Sequence, residues 1–239
     1  STYPRYELLV IDNNSEEDAS QTYLRELAER HTVLSYPHPF NWAAINNFGS
    51  ERAQGSYFLF LNNDIEVIEP EWLTAMLEHA QREDVGVVGA KLLFPSGRIQ
   101  HAGAVLGIGG VCGHAFKGLP AESPGYLDLT KVVRNYSAVT GACMMTRSEV
   151  FHAIGGFDEQ LRVAFSDIDF CLRARDKGYL VVYTPYAMLY HYESATRGAW
   201  HPREDEQLMR ERWTPVIAAG DPYYNPNLSL THEDFRLRL

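Results

Sequence analysis

The sequence predicts an α/β protein, and three observations carry that expectation. Short, wholly apolar runs end in clusters of Asp and Asn, as buried parallel strands do at the carboxyl edge of a sheet. Stretches of helix-forming residues with helical apolar spacing separate them, and the strand-helix-strand order recurs through residues 1–90. At 239 residues, 45% of them apolar and 22% charged, the chain is large enough for one sizeable core, so one compact domain is expected.

Tyr6 to Ile11 reads as the first strand, closing in the turn formers Asp12-Asn13-Asn14-Ser15. Glu17 to Arg30 carries helix formers with apolar Tyr23, Leu24 and Leu27, and Thr32 to Ser35 is a short strand after it. Asn41 is placed to cap a helix that runs to about Gln54 and stops at Gly55-Ser56. Tyr57 to Leu61 supplies another apolar strand, ending in Asn62-Asn63-Asp64. Pro70 is tolerated in a first helical turn and opens a helix to about Gln81, with Val85 to Val88 as the next strand. From Lys91 to Arg134 the pattern breaks into short β-like pieces and a Gly-rich stretch (Gly107, Gly109, Gly110, Gly113, Gly118) that reads as a mobile loop. It is no nucleotide fingerprint, because Gly113 falls one residue late for G-x-G-x-x-G. Val139 to Thr146 is a strand, Gly155-Gly156 a turn, and Ser166 to Asp176 a helix that Ser166 would cap. Leu180 to Tyr183 and Met188 to Tyr190 follow as strands, Glu204 to Trp213 as a helix, and the Pro- and Asn-rich stretch from Asp221 as an extended arm.

The formal charge of -10 argues against nucleic acid or an anionic membrane as the main partner, since phosphate-rich surfaces demand a basic face. An acidic protein that holds a diphosphate needs a cation. Cys112, Cys143 and Cys171 have no short paired spacing, so they read as buried or free thiols in a reducing compartment. No apolar run approaches the roughly 20 residues of a membrane span, and Ser1-Thr2-Tyr3-Pro4 does not begin a secretory leader. The expectation is a cytoplasmic protein, free or at the inner face of the membrane.

Three acidic tips stand out: Asp12 and Asp64 after strands, and Asp167 with Asp169 at a helix start. Ligands of open α/β sheets bind beyond the carboxyl ends of strands, so Asp12 and Asp64 are expected to share one crevice. Taken singly, each also fits an ordinary turn or cap.

The order of the tips is similar to that of family 2 glycosyltransferases of the GT-A fold, the bacterial rhamnosyltransferase-like polysaccharide enzymes among them. Tyr6 to Ser15 resembles their second strand, and Asn47-x-Gly49-x-x-x-Ala53-x-Gly55 the helix before their metal motif. Phe58 to Asp64 resembles the strand and D-x-D element. Gly155-Gly156-Phe157-Asp158-Glu159, then Ser166-Asp167-Ile168-Asp169-Phe170 with Arg173, resemble the acceptor-side segments, and His191-x-x-Ser194-x-x-Arg197-Gly198 the late His motif.

The resemblance implies a three-layer α/β/α, Rossmann-like nucleotide-binding fold with a mixed, mainly parallel sheet. It implies one domain over 1–239, with a nucleotide-binding half at 1–90, an acceptor-binding half at 91–200, and a C-terminal helix and tail at 201–239. It further implies an inverting transfer of sugar from a nucleotide-diphosphate donor to a hydroxyl of a saccharide or lipid-linked acceptor, in polysaccharide biosynthesis. Asp12 would bind base or ribose, with Asn47, Asn63 and Arg197 also on the donor. Asp64 and His191 would hold a divalent cation, Mn2+ or Mg2+, since hard cations suit carboxylate and diphosphate oxygens and an imidazole suits Mn2+ better than Mg2+. Asp167 would be the general base and Asp169 a supporting group.

The chain departs from the family's pattern in three places. Asn62 stands where the first acid of D-x-D is usual, Ser166 replaces the acid before the base, and the family's first β-α unit is missing, so the chain reads as part of a longer protein. His101 and His114 flank the Gly-rich stretch and are left out of the metal site. Trp42, Trp72 and Trp200 could stack on sugar faces, though burial is the default expectation for each, and Trp213 is expected to pack along its helix. Two other readings compete: a nucleotidyltransferase that makes sugar nucleotides, and a nucleotide-sugar-binding module made inactive by Asn62 and the missing unit.

Overall fold

A computed structural model describes residues 1–192 and 202–238. β1 (Leu9–Asp12) and β2 (Thr32–Ser35) pair in parallel across α1 (Asp18–Ala28) and form a small sheet of their own. Next come α2 (Trp42–Ser50), β3 (Tyr57–Leu61), β4 (Ile65–Val67), α3 (Trp72–Ala80) and β5 (Val85–Leu93). Among the described residues no strand pairs with the second edge of β1 or of β3. Glu7 joins the two units by accepting the backbone N–H groups of Gln54 (2.6 Å) and Gly55 (2.9 Å).

The second half adds β6 (Ile99–His101), β7 (Ala104–Leu106), β8 (Cys112–His114), β9 (Arg134–Tyr136), β10 (Cys143–Arg147), α4 (Ser148–Ile154), α5 (Ser166–Asp176), β11 (Leu180–His191) and α6 (Arg203–Ala218). The main sheet has the order β3-β10-β5-β11-β4, with β6 on β5 and β9 on β11. β10 runs antiparallel to both β3 and β5, while β5 and β11 are parallel, so β3, β5 and β11 all point one way. The sheet is mixed, and its long strands are parallel.

Alternation along the strands sorts the core into two layers, as the period of two requires. Phe58, Phe60, Val87 and Met144 face α4, α5 and α6 in a layer rich in aromatic edge contacts, while Leu59, Val88, Cys143 and Met145 face Trp72 and Met76 of α3. Helices thus cover both faces, which gives the three-layer fold.

Several elements differ from their expected form. The two late strands are one, β11, whose register shifts between Thr184 and Met188, because Pro185 cannot donate to the ladder. The strand expected from Val139 starts only at Cys143; Val139 instead lies over β5, where a Cβ on Gly89 would come within 2.4 Å of it. Ser166 does not cap α5: the preceding residue is Phe165 in the left-handed region (φ 65°), and Ser166 is buried in the first turn. α6 continues through Pro215 in its last turn, where the bond lost is to the carbonyl of exposed Glu211. The Gly-rich stretch is a hairpin, β7–β8, and the arm after Asp221 straps it down. Asp221 Oδ2 accepts the Leu106 N–H at 2.8 Å, the carbonyl of Glu233 accepts the Phe116 N–H at 2.6 Å, and Phe235 packs on Phe116 with ring centroids 4.0 Å apart.

Asp169 locks α5 to α6. Its carboxylate is fully buried and accepts from Arg173 Nε (2.7 Å), Arg212 Nη1 (2.6 Å) and Trp213 Nε1 (2.9 Å). Truncation leaves two guanidinium groups and an indole N–H without their acceptor, and Asp169→Ala is expected to cost about 3 kcal/mol or more. A fall in the urea midpoint measures it, and a variant as stable as the parent would show that the network contributes little.

Candidate active site

The carboxyl end of β3 sets the site. After Leu61 the backbone turns at Asn62-Asn63-Asp64, held by the Asn62 N–H donating to the Ala142 carbonyl at 3.0 Å. β4, which follows directly, pairs with the end of β11, and Ile65 lies opposite His191. That register brings Asp64 to His191: Asp64 Oδ1 lies 3.1 Å from His191 Nε2. The two sequence-predicted metal ligands, 127 residues apart by their numbers, are therefore neighbours.

The protonation of His191 decides what this pair can do. Its Nδ1 is 2.7 Å from Gln100 Oε1, an acceptor, and the Gln100 amide Nε2 donates to the His191 carbonyl at 3.4 Å, so the ring proton sits on Nδ1. In the neutral ring Nε2 then carries the lone pair, and it lies beside Asp64 Oδ1, a buried oxygen with no hydrogen-bond donor, and the Asn62 amide. With the ring neutral, two acceptor atoms thus meet at 3.1 Å, and Gln100 anchors the histidine's other nitrogen from behind. Asn62 does not supply the charge that the usual acid would. Trp42 Nε1 donates to its Oδ1 at 3.2 Å, which leaves its Nδ2 facing His191 Nε2 at 3.4 Å. Among the described residues no group of three or more His, Cys, Asp or Glu side chains is placed to hold a metal ion. The residues present therefore fit a cation that brings most of its oxygens with it, as one bound to a diphosphate does.

Asp167 stands beside the same cluster. Gly141 N–H donates to its Oδ2 at 2.7 Å and Ile168 N–H to its Oδ1 at 2.8 Å, with the Thr140 hydroxyl a further donor. Burial raises the carboxyl above its ordinary 3.8, against these donors, which favour the charged form. The space for this contact exists because residue 141 is glycine: a Cβ there would lie 2.5 Å from the Trp42 ring and 3.2 Å from Asp167 Cβ. Asp167, Gly141, Trp42, Asn62, His191 and Asp64 thus form one continuous cluster.

The other expected donor contacts are arranged differently. Asp12 ends β1 with its Oδ1 accepting the Ser15 N–H at 3.0 Å, and no contact joins it to Asp64 directly. The link runs through Asn13, whose amide donates to the carbonyls of Tyr36 (2.9 Å) and His38 (2.7 Å) and so shapes the loop that leads to Trp42. That loop is stapled to the segment after the Gly-Gly turn by Asn41 Nδ2 on the Glu159 carbonyl (2.8 Å) and Trp42 N–H on the Arg162 carbonyl (2.7 Å). Between them lies an open cavity of about 280 Å³ that includes Tyr36, Phe40 and Arg162. Asn47 is a clamp: its amide accepts the Phe157 N–H and donates to the Phe157 carbonyl, both at 2.9 Å, and to Glu159. Its polar atoms are thereby turned to the protein. Asn63 is exposed at the tip, and Arg197 lies outside the described residues. Gln100, Thr140, Gly141 and Trp42 were not singled out from sequence as parts of the site. Only Trp42 carried a signal, as an aromatic beside a helix cap.

Comparison with known proteins agrees with this fold. The profile of Glycosyl transferase family 2 matches residues 1–155, and the chain belongs to that family. It is 44% identical to the O-antigen biosynthesis protein RfbC of Myxococcus xanthus over 99% of this chain and 19% of that protein. It is 46% identical to the uncharacterized protein y4gI of Sinorhizobium fredii over 98% of this chain and 27% of that one. The chain therefore spans only about a fifth to a quarter of these relatives. In solved structures the same fold occurs in GalNAc-T7 with UDP, GalNAc and Mn2+ (TM-score 0.68, 14% identity, 89% of this chain and 43% of that one). It occurs also in a mannosyltransferase from Pyrobaculum calidifontis in complex with GDP-Man and Mn2+ (TM-score 0.59, 15% identity, 91% of this chain and 66% of that one). Family membership sets aside the nucleotidyltransferase reading.

Gly141→Ala is expected to push Trp42 off its seat and cost about 1–3 kcal/mol, the usual range for forced overpacking. Near-ultraviolet circular dichroism would show the changed tryptophan environment, and an unaltered spectrum would mean that the close approach is not needed.

Proposed function

We propose that this chain is the catalytic domain of an inverting transferase that moves a sugar from a nucleoside-diphosphate donor to a hydroxyl of a saccharide or lipid-linked acceptor. Residues 1–90 hold the nucleotide and residues 91–200 the acceptor. The observation that carries the reading is the Asp64 Oδ1–His191 Nε2 approach at 3.1 Å, one cluster away from the half-buried Asp167 carboxylate. Asp64 and His191 would hold a divalent cation, Mn2+ or Mg2+, and the bound ion would offset the charge that develops on the departing diphosphate. Gln100 keeps the His191 lone pair aimed at that position. Asp12 fits the base or ribose, where a carboxylate accepts N–H or O–H donors.

Asp167 takes the proton of the acceptor hydroxyl as its oxygen bonds to the anomeric carbon. The bond from that carbon to the diphosphate oxygen breaks on the opposite face, so configuration inverts. The N–H groups of Gly141 and Ile168 and the Thr140 hydroxyl keep one orientation of the carboxylate. A surface polysaccharide as acceptor is supported by the likeness to the O-antigen biosynthesis protein. Among the described residues no helix is long and apolar enough to cross a membrane.

Titration calorimetry of UDP, dTDP and GDP with Mn2+ and then with EDTA tests the reading. Binding of one diphosphate that needs Mn2+ is expected; binding of none, or equal binding in EDTA, would contradict it. Asp64→Ala is expected to abolish the Mn2+-dependent part. Gln100→Leu, which frees the His191 ring, is expected to weaken Mn2+ about tenfold. Asp167→Asn is expected to leave nucleotide affinity within about twofold and to lower transfer by about 10²-fold or more, as loss of a general base does. The pH profile carries a sign: the base must be ionised and burial raises its carboxyl, so transfer falls as pH drops through a value above 3.8. An acid limb at or below that value would oppose the assignment.

A further inference from the structure

His101 and His114 play no part in the site as described, yet they meet each other next to it. Their Nδ1 atoms lie 2.7 Å apart, which is hydrogen-bond distance, with ring centroids 5.0 Å apart and planes nearly perpendicular. His101 is fully buried on β6, directly after Gln100, and His114 is half-buried on β8 of the strapped hairpin. The donors and acceptors around them can be assigned in one way. The Thr140 backbone N–H donates to His101 Nε2 at 3.3 Å, so His101 Nε2 carries the lone pair and its proton is on Nδ1. His101 Nδ1–H must then donate to His114 Nδ1, which places the proton of His114 on Nε2. Burial holds both rings neutral, His114 down to about 4, so the assignment applies at neutral pH.

From this chain of contacts we infer that His101 and His114 are positioning residues for the base, with His114 orienting His101, His101 holding Thr140, and Thr140 with Gly141 holding Asp167. Each link is a hydrogen bond: ring to ring at 2.7 Å, backbone N–H to ring at 3.3 Å, Gly141 N–H to carboxylate at 2.7 Å, and the Thr140 hydroxyl to the same carboxylate. The relay rests on the reading of Asp167 as the base. It also gives the C-terminal arm a task. The arm straps the β7–β8 hairpin through Asp221 and Leu230, and the hairpin carries His114. Geometry at the base thereby depends on residues that touch no substrate.

Nuclear magnetic resonance of the protein tests this without turnover. Imidazole ¹⁵N spectra are expected to show His101 protonated at Nδ1 and His114 at Nε2, and the reverse tautomers would overturn the inference. His114→Leu removes the acceptor for His101, whereas His114→Asn keeps an oxygen near the Nδ1 position. In His114→Leu the Asp167 carboxyl, followed by ¹³C, is expected to titrate about half a pH unit or more above the parent, because its loop donors are loosened, and in His114→Asn close to the parent. Equal midpoints in all three proteins, or equal shifts in both variants, would overturn it. Calorimetry of Mn2+ with UDP, dTDP and GDP run on the same variants is expected to give parent affinities, and loss of that binding would show that His114 acts on the cation side instead. Asp167→Asn separates the two readings. An active Asp167→Asn protein sinks the base and the relay together. If Asp167→Asn is inactive and His114→Leu leaves the Asp167 midpoint unmoved, only the relay fails.

Discussion

Asp64 Oδ1 and His191 Nε2 face each other at 3.1 Å, and the surrounding elements keep them there. β4 follows β3 without a connecting helix and pairs at once with the far end of β11, so the tip of one strand and the end of another are covalently and register-wise forced together. Gln100 fixes the ring, and Trp42 orients Asn62 so that its Nδ2 faces His191 Nε2 at 3.4 Å. On the proposed function, a cation bound between Asp64 and His191 would offset both the carboxylate and the donor's diphosphate.

The same economy of contacts ties the acceptor side to the core. Asp169, two residues from Asp167, is fully buried and spends its carboxylate on Arg173, Arg212 and Trp213. The α5 first turn is therefore anchored by Asp169 while Asp167 points out to the cluster. Two carboxylates on one turn stand in different surroundings: one meets guanidinium groups and the other meets N–H donors at a half-buried surface. Asn47 and the Gly155-Gly156 turn do the corresponding work on α2. A Cβ at Gly156 would come within 2.8 Å of the Asn47 amide oxygen, so the turn can close on that amide only as glycine.

Much of this was legible in the residues. β2 and β3 fall where their apolar runs lie, and α5 begins and ends as its pattern predicts, since burial on one or both faces imposes the period. Asp64, His191 and Asp167 were singled out because each lies at the edge of an element and in the order of a family pattern, and the structure brings Asp64 and His191 to 3.1 Å. What was missed has a common cause. Gln100 holds His191 from 91 positions away, and Thr140 reaches His101 from 39, so no local spacing announces either contact. The Gly-rich stretch looked loose, yet Gly107, Gly109 and Gly110 adopt positive φ in a hairpin turn, and the strap that orders it comes from the far end of the chain. Asn47 matched a motif position but serves as a clamp on Phe157.

The most direct test of the account is pulsed electron paramagnetic resonance of Mn2+ bound together with the nucleoside diphosphate that titration selects. One imidazole nitrogen coupled to the manganese in the parent, and lost in His191→Ala, is the predicted result. Bound Mn2+ with no histidine nitrogen in its coordination would contradict it, and would move the cation away from the Asp64–His191 pair.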